Sequence, residues 1–184
     1  MKTFTVPNIL TFLRILGMPV FILAFITGHL SAATIIFVVA ILTDIFDGII
    51  ARLNKSRTVL GSILDPLADK LLVDIAFLLL AGSGLMPYWL VTVIISKDVI
   101  LVLGWLIIYI VSGNLKVELS VFGKFANFFE SFLVILLLCT AAYPAILETL
   151  DFLPYLTNGT IYATAAIAGF ALIDYVLKGI RRLG

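Results

Sequence analysis

Six apolar stretches take up most of this chain: Pro7–Thr27, Ala32–Leu53, Leu64–Ala81, Trp89–Val111, Val121–Ala142 and Ile161–Leu177. Each is close to the ~20 residues a helix needs to cross ~30 Å of hydrocarbon. Within a bilayer every backbone N–H and C=O must be bonded inside the segment, so such stretches fold as helices. Of the 184 residues, 62% are apolar and 12% charged, against about 45–50% and about 25% in a soluble domain. That excess of hydrocarbon excludes a soluble cytosolic enzyme. Gly28-His29, Gly82-Ser83-Gly84, Ser112-Gly113-Asn114 and Asn158-Gly159 read as turns, and Tyr143–Thr157, with Pro144 and Pro154, as the one longer loop. The expected fold is therefore all-α: a polytopic membrane protein of six transmembrane helices, one domain over residues 1–184, with little outside the bilayer.

The basic residues are distributed unevenly. Lys2, Arg52, Lys55, Arg57, Lys116, Lys178, Arg181 and Arg182 fall at ends that six alternating spans place on one side, whereas the opposite loops hold His29, Glu148 and Asp151 and no Lys or Arg. The positive-inside rule then puts both termini in the cytoplasm. The overall balance, 12 Lys+Arg against 11 Asp+Glu, gives no nucleic-acid signature. The single cysteine, Cys139, excludes an intrachain disulfide and reads as a small buried or lipid-facing side chain. His29 reads as a solvated turn residue. The first apolar stretch has no small-residue cleavage pattern after it, so no cleavable signal peptide is expected.

Against that background the carboxylates stand out, because an Asp inside a span costs about 2.5–3.5 kcal/mol on insertion scales. Asp44 and Asp47 lie near the cytoplasmic end of the second stretch, Asp65 and Asp69 at the start of the third. Helical residues three or four apart share a face, and the short connection Leu53–Gly61 brings the two helices side by side. Four converging carboxylates need a positive counterpart, and one or two hard divalent cations bound through oxygen supply it. Gly48, Ala51 and Gly61 leave room for a ligand near the backbone, while Arg52 offers a forked donor suited to phosphate. Lys70 is a further phosphate contact by position. A single intramembrane Asp reads equally well as a proton relay or an interhelical hydrogen bond, but four at these spacings do not. Asp74 either lines the same cavity or pairs with a base; Lys97 and Asp98 either neutralise each other or meet substrate. Asp174 is expected to pair with a basic residue at the end of the last stretch, and Glu130, two turns past Lys124, is open to either use.

Written out, the stretch is Asp44-x2-Asp47-Gly48-x2-Ala51-Arg52-x8-Gly61-x3-Asp65-x3-Asp69. It resembles, at every fixed position, the signature of the CDP-alcohol phosphotransferase family, whose size and six-helix topology also look like this chain. The opening Pro7-Asn8-Ile9-Leu10-Thr11 with Arg14 resembles the branch that makes phosphatidylglycerophosphate. The resemblance implies an enzyme that displaces CMP from CDP-diacylglycerol with an acceptor hydroxyl. It implies a metal site of Asp44, Asp47, Asp65 and Asp69 for Mg²⁺ or Mn²⁺, two ions, with Asp69 as the catalytic base. It implies a CDP site of Asp44, Gly48, Ala51, Arg52 and Gly61, and a homodimer in the cell (inner) membrane with its active site facing the cytoplasm.

The acceptor implied is sn-glycerol 3-phosphate, held by Lys124, Arg14 and Lys97. That branch typically shows Gly-Lys-x-Lys-Thr ahead of a Gln, however. Here Gly123-Lys124 is followed by Ala126, Asn127 and Glu130, and Lys97-Asp98 stands where Arg-Glu is usual. These departures bring the chain closer to the family's cardiolipin synthases, whose acceptor is phosphatidylglycerol. A reading from another class, an ion-coupled membrane transporter, would show inverted repeats or broken helices, and the sequence shows neither.

Overall fold

The computed structural model describes the backbone of residues 6–54, 59–112, 121–147 and 149–183, and the side chains within them except those of 6–12, 46–69, 105, 106, 108, 109, 111, 112, 121, 146, 147 and 180–183. Six long helices and one short one make up these residues: α1 (Val6–Ile26), α2 (Leu30–Asn54), α3 (Val59–Gly82), α4 (Tyr88–Ser112), α5 (Val121–Ala142), α6 (Pro144–Leu147) and α7 (Leu153–Leu183). Among the described residues there is no strand.

Each of the first five long helices coincides with an apolar stretch of the sequence. The turns between α1 and α2 and between α3 and α4 are tight. Gly28 and Gly84 both take φ +78°, a left-handed conformation that glycine adopts without penalty and that commonly ends a helix. In both turns the residue after that glycine donates back across it, His29 N–H to the Ala24 carbonyl at 2.9 Å and Leu85 N–H to the Leu80 carbonyl at 3.0 Å. His29 itself is exposed, with Nδ1 3.0 Å from the Thr27 hydroxyl.

The last helix differs from expectation. The stretch Tyr143–Thr157 is not a long loop: Tyr143 is followed by the single turn α6, and α7 starts at Leu153 rather than Ile161. Proline at the second position of α7 explains the difference, since the first-turn N–H that Pro154 lacks has no intrahelical partner in any case. Asn158-Gly159 then lies within the helix rather than forming a turn.

α1 packs on α2 and α3, α5 packs on α2, α3 and α7, and α4 packs on α3 and α7. The apolar core fills the half of the bundle nearest the two glycine turns. Phe21 of α1 and Phe37 of α2 meet there with ring centroids 5.7 Å apart, joined by Phe77 and Leu80 of α3, Leu90 and Ile94 of α4, and Leu133 and Leu138 of α5. The other half of the interior holds charge: Arg14, Lys97, Asp98 and Glu130 are all buried.

The outside is apolar. Leu16, Val20 and Leu23 of α1, Val39 and Leu42 of α2, Leu103 and Ile107 of α4 and Phe128 of α5 are all exposed. Charge inside and hydrocarbon outside invert the order of a water-soluble domain. α5 over Phe122–Ala142 and α7 over Leu153–Gly179 are each long and apolar enough to cross a membrane. Tyr88 and Trp89 lie in the first turn of α4, and Tyr155 and Tyr162 in the first three turns of α7, with Trp89 and Tyr162 stacked at 6.0 Å.

Where α5 meets α7, a Cβ on Gly123 would stand 2.1 Å from the Tyr175 hydroxyl oxygen. The ring is rigid and cannot fold away. Gly123→Ala should therefore destabilise the bundle by about 1–3 kcal/mol, as overpacking does, and Tyr175→Ala on the same background should restore the loss. Thermal unfolding in detergent checks both.

Candidate active site

The signature residues fall on two consecutive helices. Asp44, Asp47, Gly48, Ala51 and Arg52 are on α2, and Gly61, Asp65 and Asp69 are on α3. The helical backbone at both places keeps each carboxylate pair about one turn apart. The side chains of Asp47, Gly48, Ala51, Arg52, Gly61, Asp65 and Asp69 lie outside the described residues. Asp44 is described: its side chain is 33% exposed, and its Oδ1 lies 2.7 Å from Nη1 of Arg14, which is 2% exposed. An exposed-edge carboxylate is thus held from beneath by a buried guanidinium on α1. The hairpin of α1 and α2 makes this contact, because positions 14 and 44 stand at similar distances from the Gly28 turn.

Lys97 and Arg14, both expected at the acceptor, turn out to be buried and paired. Lys97 Nζ, 2% exposed, donates to Glu130 of α5 and lies 3.2 Å from Asp98 Oδ1. Asp98 also accepts from Lys70 of α3 at 2.5 Å, and Lys70 reaches Asn127 Oδ1 at 3.4 Å. Five side chains from three helices therefore form one continuous network. A small cavity beside it is lined by Lys70, Val73, Asp98, Asn127, Glu130 and Ser131. Asp74, one turn beyond Lys70, interacts electrostatically with both lysines and both carboxylates of the network. Its Oδ1 is buried and has no hydrogen-bond partner among the described residues. Lys124, by contrast, is exposed. Asp174 pairs with Lys178 one turn on, at 2.7 Å.

The sequence leaves Lys97 and Asp98 open between neutralising each other and meeting substrate; the structure pairs them and adds Glu130 as the closer partner of Lys97 and Asn127 as a contact of Lys70. The signal was available. Lys70, Asp98 and Glu130 sit at similar distances from the ends of their helices on the glycine-turn side, so antiparallel packing brings them to one depth.

A sequence model of the CDP-alcohol phosphatidyltransferase family matches residues 4–173. The chain belongs to this family. Among its curated relatives, a probable phosphatidylglycerophosphate synthase of Mycobacterium tuberculosis is 41% identical over 97 residues, 50% of this chain and 46% of that protein. A CDP-diacylglycerol–glycerol-3-phosphate 3-phosphatidyltransferase of Escherichia coli is 46% identical over 79 residues, 41% of this chain and 43% of that protein. A CMP-forming cardiolipin synthase of Homo sapiens is 43% identical over 99 residues, 53% of this chain and 33% of that protein. The chain thus spans less than half the length of each of these three. Of the residues read above as departing from the phosphatidylglycerophosphate pattern, Lys97, Asp98, Asn127 and Glu130 are tied by the network to one another or to Lys70, whereas Ala126 is buried outside it.

Removing one partner of a buried pair leaves the other uncompensated. Glu130→Gln should lower stability by about 1–3 kcal/mol, since Lys97 keeps Asp98, and Lys97→Met with Glu130→Leu should recover most of it. Denaturation of the purified variants in detergent gives the comparison.

Proposed function

We propose that this protein transfers the phosphatidyl group of CDP-diacylglycerol to a hydroxyl of sn-glycerol 3-phosphate, forming phosphatidylglycerophosphate and releasing CMP. The observation that carries this reading is the complete Asp44-to-Asp69 signature, borne on two consecutive helices of a chain that belongs to the CDP-alcohol phosphatidyltransferase family. The names of the M. tuberculosis and E. coli relatives support the acceptor.

Four carboxylates make a hard, oxygen-only donor set, which fits Mg²⁺ or Mn²⁺, as one ion or two. Asp44, Asp47, Asp65 and Asp69 would hold the metal, which when bound would neutralise the pyrophosphate and the departing CMP. Arg14 orients Asp44 through their ion pair. Asp44, Gly48, Ala51, Arg52 and Gly61 form the CDP site. The acceptor oxygen attacks the phosphatidyl phosphorus, the bond to CMP breaks, and Asp69 takes the hydroxyl proton. Lys124 holds the acceptor phosphate.

In this reading six helices span the cell (inner) membrane with both termini and the site on the cytoplasmic side. The basic residues at one end, the exposed aliphatic side chains of the bundle and the aromatic cluster at the other end support it. A homodimer belongs to the same reading, on the family resemblance alone.

One observation favours a second acceptor. Lys70 and Lys97 are already neutralised by carboxylates, so fewer cations remain for a dianionic phosphate, and phosphatidylglycerol carries no phosphomonoester. A cardiolipin synthase would need only this lighter pocket.

Purified protein given CDP-diacylglycerol, Mg²⁺ and both acceptors at equal concentration should form mainly phosphatidylglycerophosphate; cardiolipin as the dominant product selects the second reading. A charged hydrogen bond to phosphate is worth about 1.5–3 kcal/mol. Lys124→Ala should thus weaken apparent glycerol 3-phosphate affinity about tenfold to a hundredfold. Asp44→Asn, Asp47→Asn and Asp65→Asn should each abolish CMP release at saturating Mg²⁺. Asp69→Asn should still bind CDP-diacylglycerol by calorimetry while failing to transfer it.

A further inference from the structure

The network around Asp98 has a geometry that the reaction proposed above does not use directly. Lys70 is the residue after Asp69 in the chain, and it is anchored away from the signature: to Asp98 of α4 at 2.5 Å and to Asn127 of α5 at 3.4 Å. Asp98 is in turn fixed by Lys97, and Lys97 by Glu130. Lys97, Asp98 and Glu130 are each at most 7% exposed in their side chains. A buried ion pair is weak evidence of added stability, because apolar residues of similar volume often hold a core as well. What such a network does supply is a defined rotation of one helix against its neighbours.

We propose that the Lys70–Asp98 pair is a positioning element: it fixes the rotation of α3 about its axis and so sets the azimuth at which α3 presents its Asp65–Asp69 turn. The two positions are rigidly linked, since consecutive helical residues are about 100° apart around the axis. A rotation of α3 by about 20° would carry an atom about 6 Å from the axis through about 2 Å. A misplacement of about 1 Å is enough to lose about a hundredfold in rate. Lys70 and Asp98 are therefore positioning residues, acting through the backbone of α3. Asn127 and Glu130 carry the same constraint from α5.

This inference rests on the transferase reading, and its test separates the two. Lys70→Met and Asp98→Asn should lower kcat for CMP release about tenfold to a hundredfold, with KM for CDP-diacylglycerol and for the acceptor changed less than threefold. Lys70→Arg and Asp98→Glu, which keep the pair, should retain at least a third of kcat. Mn²⁺ titration followed by electron paramagnetic resonance, with no substrate present, reads the placement of the four carboxylates independently of turnover. Both charge-removing variants should bind Mn²⁺ at least threefold more weakly, and both conservative ones as the parent does. A rise in acceptor KM at unchanged kcat would instead make Lys70 a substrate contact and overturn the proposal. So would lost thermal stability with kcat and Mn²⁺ affinity intact in the folded fraction, which is the mark of a merely structural pair. A parent protein that binds Mn²⁺ but releases no CMP would overturn the transferase reading, and the Mn²⁺ comparison alone would then decide the positioning role.

Discussion

Charge neutralisation inside an apolar envelope is the condition on which this architecture rests. With hydrocarbon side chains facing outward from the helices, an ionised group in the interior has no water to retreat to and must find its partner on a neighbouring helix. Lys97 does so with Glu130 and Asp98, Lys70 with Asp98, and Arg14 with Asp44. Each partnership joins residues on different helices, apart from the adjacent Lys97 and Asp98. The pairings therefore select one relative rotation and depth for α1 against α2 and for α3 against α4 and α5. Dispersion contacts among leucines and phenylalanines tolerate sliding far better.

The bundle divides these tasks between its two halves. Near the Gly28 and Gly84 turns the interior is a conventional packed core, with Phe21, Phe37, Phe77 and Leu138 fully buried. Toward Arg14 and Lys97 the packing gives way to ion pairs. The apolar half holds the helices together; the polar half holds them in register. A reactive site built of like charges belongs in the second, where electrostatic partners are already in place and the helix ends approach water.

Much of this was legible in the chain itself. Five of the six apolar stretches became helices with ends shifted by only a few residues, because span-length hydrophobic runs bounded by glycine leave the backbone no alternative. The helical placement of Asp44–Asp69 was legible for a different reason: charges at helical spacing inside apolar stretches are too unfavourable to be incidental. Tyr143–Thr157 looks like a loop because proline usually breaks a helix, whereas Pro154 occupies the one turn of α7 that accepts it. The common depth of Lys70, Asp98 and Glu130 was legible from the helix lengths, but not which of them pair. Pairing across helices depends on rotation, and periodicity in one helix says nothing about the azimuth of the next. Side chains of equal charge, such as Glu130 and Asp74, read alike in sequence, yet one caps a lysine and the other keeps a buried oxygen without a hydrogen-bond partner among the described residues.

The early start of α7 also changes the length of the molecule. At 31 residues this helix is about 47 Å long, against about 30 Å of hydrocarbon, so about 17 Å must be absorbed by tilt or must project beyond the acyl chains. Tyr155 and Tyr162 lie in its first three turns, and aromatic side chains of this kind favour a membrane–water interface. Beyond Tyr162 the helix rises only about 32 Å, close to the hydrocarbon thickness, so in the spanning reading the surplus lies in the turns before Tyr162. In that same reading Lys178, Arg181 and Arg182 follow in sequence at the end of the bundle where α2 closes and α3 begins.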